Sequence, residues 1–221
     1  MLTALWSVKG GVGVSVTAAV MAVAAAKSGS ALLFDAGGGD QPSILGVPEP
    51  SSGFANWVES PADVALDSLR RLEVEVASGL QLLVAGRDGQ AEPALPASRV
   101  RLGICLLADA QRSTIVDLGQ IDRSACGFTE AVLGRADRSL LVTTPCYLAL
   151  RRAQNSLHRP SGIVLIDDPD RALGRRDVQE ALDAPVVCTL SRTAAIARSV
   201  DAGLLLARVP MATQRAVSRI L

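Results

Sequence analysis

The sequence holds a single histidine, His158, and only two lysines, Lys9 and Lys27, against twenty arginines. With one histidine, placed just before Arg159-Pro160, and no GxSxG motif, the chain has no sign of a Ser-His-Asp hydrolase. The four cysteines, Cys105, Cys126, Cys146 and Cys188, are widely spaced and form no CxxC pair. That argues against a structural zinc site, and 221 residues need no disulfide staples, so a reducing cytoplasm fits best. The formal net charge is zero, which provides no global field to draw in nucleic acid or acidic lipid. No apolar run reaches the eighteen or so residues that span a bilayer. Internal repeats, low-complexity tails and domain linkers are also lacking, and residues 1–221 read as one domain.

What the chain does have is 49% hydrophobic residues and a steady alternation. Short apolar runs ending in Gly, Asp or Pro give way to Ala/Leu-rich segments of helical length, the rhythm of βαβ units around a parallel sheet. Strands are expected near 2–8, 31–35, 80–85, 113–118, 138–144, 162–167 and 185–190. Helices are expected within 14–27, 61–72, 97–110, 127–135, 146–155, 174–182, 193–203 and 211–221. Two tracts rich in Gly, Pro and Ser, 37–53 and 87–96, read as loops on the ligand-bearing face. Lys9, the apolar stretch Val12 to Val23 and the triplet Ala24-Ala25-Ala26 mimic a signal peptide. A strand-like segment precedes the charge, however, and three glycines break the helix such a peptide needs.

The segment Lys9-Gly10-Gly11-Val12-Gly13-Val14-Ser15 follows the first strand and opens the first helix. Glycines there let the backbone turn and aim successive N–H groups at an anion, and the helix presents its positive end. These residues resemble the KGGxGK[ST] loop of the ParA/MinD-type branch of P-loop ATPases, with its deviant Walker A motif. The resemblance implies a three-layer α/β/α sandwich with a mostly parallel sheet, and ATP or ADP with Mg²⁺ as cofactor. Lys9 matches that family's signature lysine, which reaches across a nucleotide-sandwich homodimer. Ser15 matches the hydroxyl that ligates Mg²⁺. Val14 stands where the phosphate-gripping lysine is expected, so binding should weaken, and transition-state stabilisation should fall by on the order of 10² to 10³ in rate.

Ala31-Leu32-Leu33-Phe34-Asp35 resembles the family's second strand, but its following DxD-like carboxylate is missing, since the chain continues Ala36-Gly37. Asp40 is a candidate substitute, and equally a solvated loop residue or helix cap. Ser113 to Gly119 resembles the Walker B strand, with Asp117 directed at the magnesium shell. Leu140 to Pro145 and Leu190 to Gly203 extend the resemblance towards the C-terminus, and 38–48 resembles loops of pilus-associated relatives.

On this reading the chain is a degenerate, positioning ParA/MinD-like protein of the pilus-localising, CpaE/TadZ-like kind: a pseudo-ATPase or very slow ATPase, cytoplasmic, recruited to a pole or membrane through a protein partner. Gly10, Gly11, Val12, Gly13 and Val14 would line the phosphate, Ser15 and Asp117 the metal, and Lys9 and Asp40 would carry any catalysis. Two alternatives stay open: a working ATPase with a substituted phosphate-binding residue, and a nucleotide-free interaction module. DNA binding through the arginine pairs Arg70/Arg71, Arg151/Arg152 and Arg175/Arg176 is not favoured at neutral net charge. The final segment, Met211 to Leu221, has two arginines and no aromatic anchor, and reads as a packing helix rather than a membrane-surface one.

Overall fold

Seven of the eight strands among the described residues lie where the apolar runs place them. The structure is a computed structural model that describes residues 1–37, 39–61, 64–86, 95–121 and 127–221. In chain order it runs β1 (Leu2–Ser7), α1 (Val14–Ala26), β2 (Ala31–Asp35), α2 (Gln41–Leu45), α3 (Phe54–Glu59), a 3₁₀ turn (Leu66–Leu72), β3 (Val74–Ala77), β4 (Leu80–Val84), α4 (Ala97–Asp109) and β5 (Ser113–Gln120). It continues with α5 (Phe128–Arg135), β6 (Arg138–Thr143), α6 (Tyr147–Gln154), β7 (Gly162–Asp167), α7 (Arg175–Leu182), β8 (Val186–Ser191), α8 (Ala194–Asp201) and α9 (Met211–Ser218). The strands form one sheet in the order β3-β4-β2-β5-β1-β6-β7-β8, parallel except for β3 on β4.

Alternation along the strands divides the core in two. On β1, Leu5 faces the cluster built by α1, Leu45 of α2 and Val217 of α9, whereas Leu2, Ala4 and Trp6 face Phe54, Ile104 and Val132 of α3, α4 and α5. Helices therefore cover both faces of the sheet, giving three layers. A smaller apolar group seats Leu150 of α6 and Val178 of α7 on Ile163 and Leu165 of β7. Helix α1 is buried nearly all round, with Ala18, Ala19, Ala22, Ala24 and Ala25 among its covered residues. Alanine is the best helix former and the least bulky, which suits a helix packed between the sheet and α9.

Between β1 and β2 the sheet admits β5, and the chain leaves β1 towards β2 but β5 towards β6, in opposite directions across the sheet. This reversal opens a crevice at the carboxyl ends of β1, β2 and β5, the usual place for a ligand in an open α/β sheet.

Four elements differ from the sequence expectation. The tract 37–53 contains α2, only five residues long, with Pro42 near its start. Helix α3 and the edge strand β3 are six and four residues, too short for a periodic signal. The helix expected over 61–72 is instead the 3₁₀ turn at Leu66–Leu72. There both the N–H and the hydroxyl of Ser68 donate to the carbonyl of Ala65, tightening the turn to i→i+3. Residues 87–94 of the second expected loop, and Cys126, lie outside the described residues. Among the described residues no helix is long and apolar enough to cross a membrane.

Candidate phosphate and carboxylate site

At the end of β1 the Ser7 hydroxyl donates to the carbonyl of Lys9 at 3.0 Å and starts the turn. Gly11 and Gly13 then take left-handed φ values of 71° and 92°, which an L side chain adopts only under strain. Gly13 caps α1 through its carbonyl, which accepts the Thr17 N–H at 3.0 Å and the Thr17 hydroxyl at 2.7 Å. The backbone N–H groups of residues 10–15 meet no acceptor among the described residues, and α1 has neither a side-chain cap nor an acidic residue in its first turn. Together they leave a row of free donors at the positive end of a helix.

Val14 is 6% exposed and packs with Val12 in the core around α1, while Gly10 and Gly11 stay exposed. The valine has thus been absorbed into the core. Lys9 is half-buried, and its ammonium has no hydrogen-bond or ion-pair partner among the described residues. It lies near enough to Cys146, at the start of α6, to help lower that thiol's pKa; hydrogen bonding from the backbone of Ala149 is the larger cause, and Arg171 adds to it. Lys27, by contrast, is engaged with the side chain of Gln214 on α9 at 2.6 Å.

Asp35 and Asp117 are register partners at the carboxyl ends of β2 and β5, and both are buried. Asp35 accepts the N–H of Gly39 at 3.1 Å on one oxygen and that of Gln41 at 2.9 Å on the other. Burial, partly countered by those two hydrogen bonds and reinforced by the charge of Asp117, pushes the Asp35 carboxyl up to about 6. Burial likewise raises Asp117, against hydrogen bonds from Gln41, Ser15 and Gly119. Gly37 makes this junction possible: a Cβ there would fall 2.1 Å from the carbonyl carbon of Leu118.

Gln41 is the residue that sequence reasoning missed. Its side chain is fully buried, and Nε2 donates to the carbonyl of Ser15 at 2.9 Å and to Oδ2 of Asp117 at 2.8 Å. A glutamine in a Gly/Pro-rich tract carries no burial signal; only the folding of 39–41 onto Asp35 takes it inside. Its Oε1 is buried with no donor among the described residues, a defect worth about 1–3 kcal/mol that the two donated bonds offset.

Of the residues expected to form the site, Gly10 to Ser15 make the loop, and Ser15 lies within hydrogen-bonding reach of Asp117. Asp40 sits at the start of α2, exposed and without a side-chain cap bond, yet close enough for its charge to raise both buried carboxyls. Hydroxyl and carboxylate oxygens suit Mg²⁺ in kind. The arrangement does not. One oxygen of Asp117 holds the N–H of Gly119 at 2.9 Å, and the other holds the Gln41 amide. Among the described residues no three His, Cys, Asp or Glu side chains group so as to hold a metal.

His158 lies in the loop after α6, edge-on to Trp6 at 6.2 Å, as a packing residue. The arginine pairs are exposed and fall near opposite edges of the sheet, Arg70/Arg71 before β3 and Arg175/Arg176 on α7 beside β8, so they form no single stripe.

Solved structures share this architecture. A ParA family ATPase from Chlorobium tepidum superposes with a TM-score of 0.78 at 22% identity, over 98% of this chain and 96% of that one. The fold is that of ParA/MinD-type P-loop proteins. MinD in the MinC:MinD cell division complex of Aquifex aeolicus gives a TM-score of 0.77 at 17% identity, covering 99% and 93%. The septum site-determining protein MinD of Pyrococcus horikoshii, complexed with Mg-ADP, gives 0.74 at 15% identity, covering 99% and 93%. The sequence matches no protein-family model and no curated protein.

Proposed function

We propose that this chain is a degenerate positioning protein on the ParA/MinD-like fold, which binds ATP or ADP weakly at the glycine loop and hydrolyses it slowly or not at all. The observation that carries the reading is the row of N–H groups from 10 to 15, without an acceptor among the described residues, at the uncapped start of α1. Such donors cradle phosphate oxygens without a lysine, but with less affinity. Lys9, free of a partner among the described residues, supplies the one lysine at the loop and the contact to a second copy in a homodimer. Asp40 is the carboxylate left to orient a water. The role would be placement of a protein partner in pilus assembly, partitioning or septum-type localisation, in the cytoplasm or recruited to a pole or membrane. Neighbours that include partition and cell division proteins, one of them in complex with MinC, support the partitioning and septum-type part of this role.

Calorimetry with ATP and ADP tests the reading. Weak, saturable binding that is lost in Val12→Pro, where the loop loses an N–H, supports it. Phosphate release that disappears in Lys9→Ala and Asp40→Asn would instead mark a working ATPase. A second reading, a nucleotide-free interaction module, draws on the internal satisfaction of Asp117, and absence of both heat and thermal shift with either nucleotide would establish it.

A further inference from the structure

We propose that the Gln41 side chain closes the metal position beside Asp117, so that the glycine loop takes its nucleotide without a divalent cation. The inference rests on the nucleotide-binding reading above for its second half only. A cation needs lone pairs facing it, and here an amide N–H points its positive hydrogen at Asp117 Oδ2 from 2.8 Å. The same Nε2 donates to the carbonyl of Ser15, while the second oxygen of Asp117 is taken by Gly119. The carboxamide therefore does with two hydrogen bonds what a hydrated ion would do with its shell: it bridges the start of α1 to the end of β5.

Three features hold the plug in place. The main-chain N–H of Gln41 is itself bound to Asp35 Oδ2, and that of Gly39 to Oδ1, so the turn carrying the side chain is clamped to β2. Ile44 and Leu45 of α2 are buried in the core around α1. At the far end of α2, Gly46 meets the backbone of Gly203 so closely that a Cβ would come within 2.0 Å of its carbonyl oxygen. Withdrawal of Gln41 would thus move an anchored element rather than one rotamer. With the metal position closed and Val14 in the core, the loop amides and Lys9 are the groups at the loop that face a phosphate, and none of them depends on Mg²⁺.

Two measurements decide it. In the first, wild-type protein is titrated with ATP and with ADP in excess Mg²⁺ and in EDTA; dissociation constants within about threefold of each other are expected, and tenfold or greater tightening by Mg²⁺ overturns the proposal. Absence of binding in both buffers defeats the nucleotide half, and the metal half then stands or falls on the second measurement. There, Mn²⁺ without nucleotide is followed by water-proton relaxation. Wild type should show no site, Gln41→Ala should gain one, and Gln41→Ala/Asp117→Asn should lose it again. A wild-type Mn²⁺ site that Asp117→Asn removes, or no gain in Gln41→Ala, overturns the closure. The clamp to Asp35 uses main-chain atoms, so Gln41→Ala keeps it; circular dichroism checks the fold, and the wild-type arm needs no variant.

Discussion

At position 14 a valine packs into the core where the family resemblance leads one to expect a lysine, and restoring the lysine has two opposed consequences. Val14→Lys puts an ammonium within reach of the loop on a stem that can cover the same apolar surface. A charge-assisted hydrogen bond of about 1.5–3 kcal/mol should tighten ATP about tenfold to a hundredfold in calorimetry. Removing a buried valine should at the same time lower the thermal midpoint. Asp35 makes a different demand. Its carboxyl, raised by burial from 3.8 to about 6, holds a proton more tightly folded than unfolded. Its contribution to stability is therefore fully present below about pH 4 and is lost as pH rises through 6. Measured against Asp35→Asn by urea unfolding, wild type should lose on the order of 3 kcal/mol across that window and change little above it. A gap that widens in wild type's favour with rising pH would contradict the assignment.

Among the elements, α2 is the one whose placement matters most and whose sequence says least. Five residues with an early proline have no periodicity to read, and Asp40 at their start makes no side-chain cap. What seats α2 is tertiary: Asp35 clamps its beginning, Ile44 and Leu45 enter the core, and Gly46 crosses Gly203. Gly46 also has φ of 71°. Gly46→Ala should therefore destabilise by more than about 2 kcal/mol, from left-handed strain and overpacking together. Gly134, near the end of α5, has open space around it and no positive φ, so Gly134→Ala should stabilise by about 0.5–1 kcal/mol. Opposite shifts of the urea midpoint in these two variants would separate a glycine required by packing from one that is merely tolerated. The expected helix at 61–72 marks the same limit: composition favours it, yet the Ser68 hydroxyl competes for the Ala65 carbonyl and the turn becomes 3₁₀.

For the molecule as a whole, the crevice at the strand reversal and Lys9 beside it, without a partner among the described residues, set the expected behaviour. If Lys9 reaches the phosphates of a second copy, sedimentation should show a dimer that forms with ATP and is lost in Lys9→Ala, while zero net charge contributes no long-range repulsion between copies. The sequence by itself determined the layered α/β architecture, because strand-length apolar runs and Ala/Leu-rich helices alternate in a way only a covered parallel sheet can bury. It also determined the glycine loop, since Gly11 and Gly13 must be glycine for the turn to exist. Only the tertiary structure decided that Val14 belongs to the core, that Gln41 bonds to Asp117, and that Asp35 serves as a clamp. Those outcomes depend on which groups are brought together across long sequence separations and on how far water is excluded from them, and neither quantity is carried by local pattern.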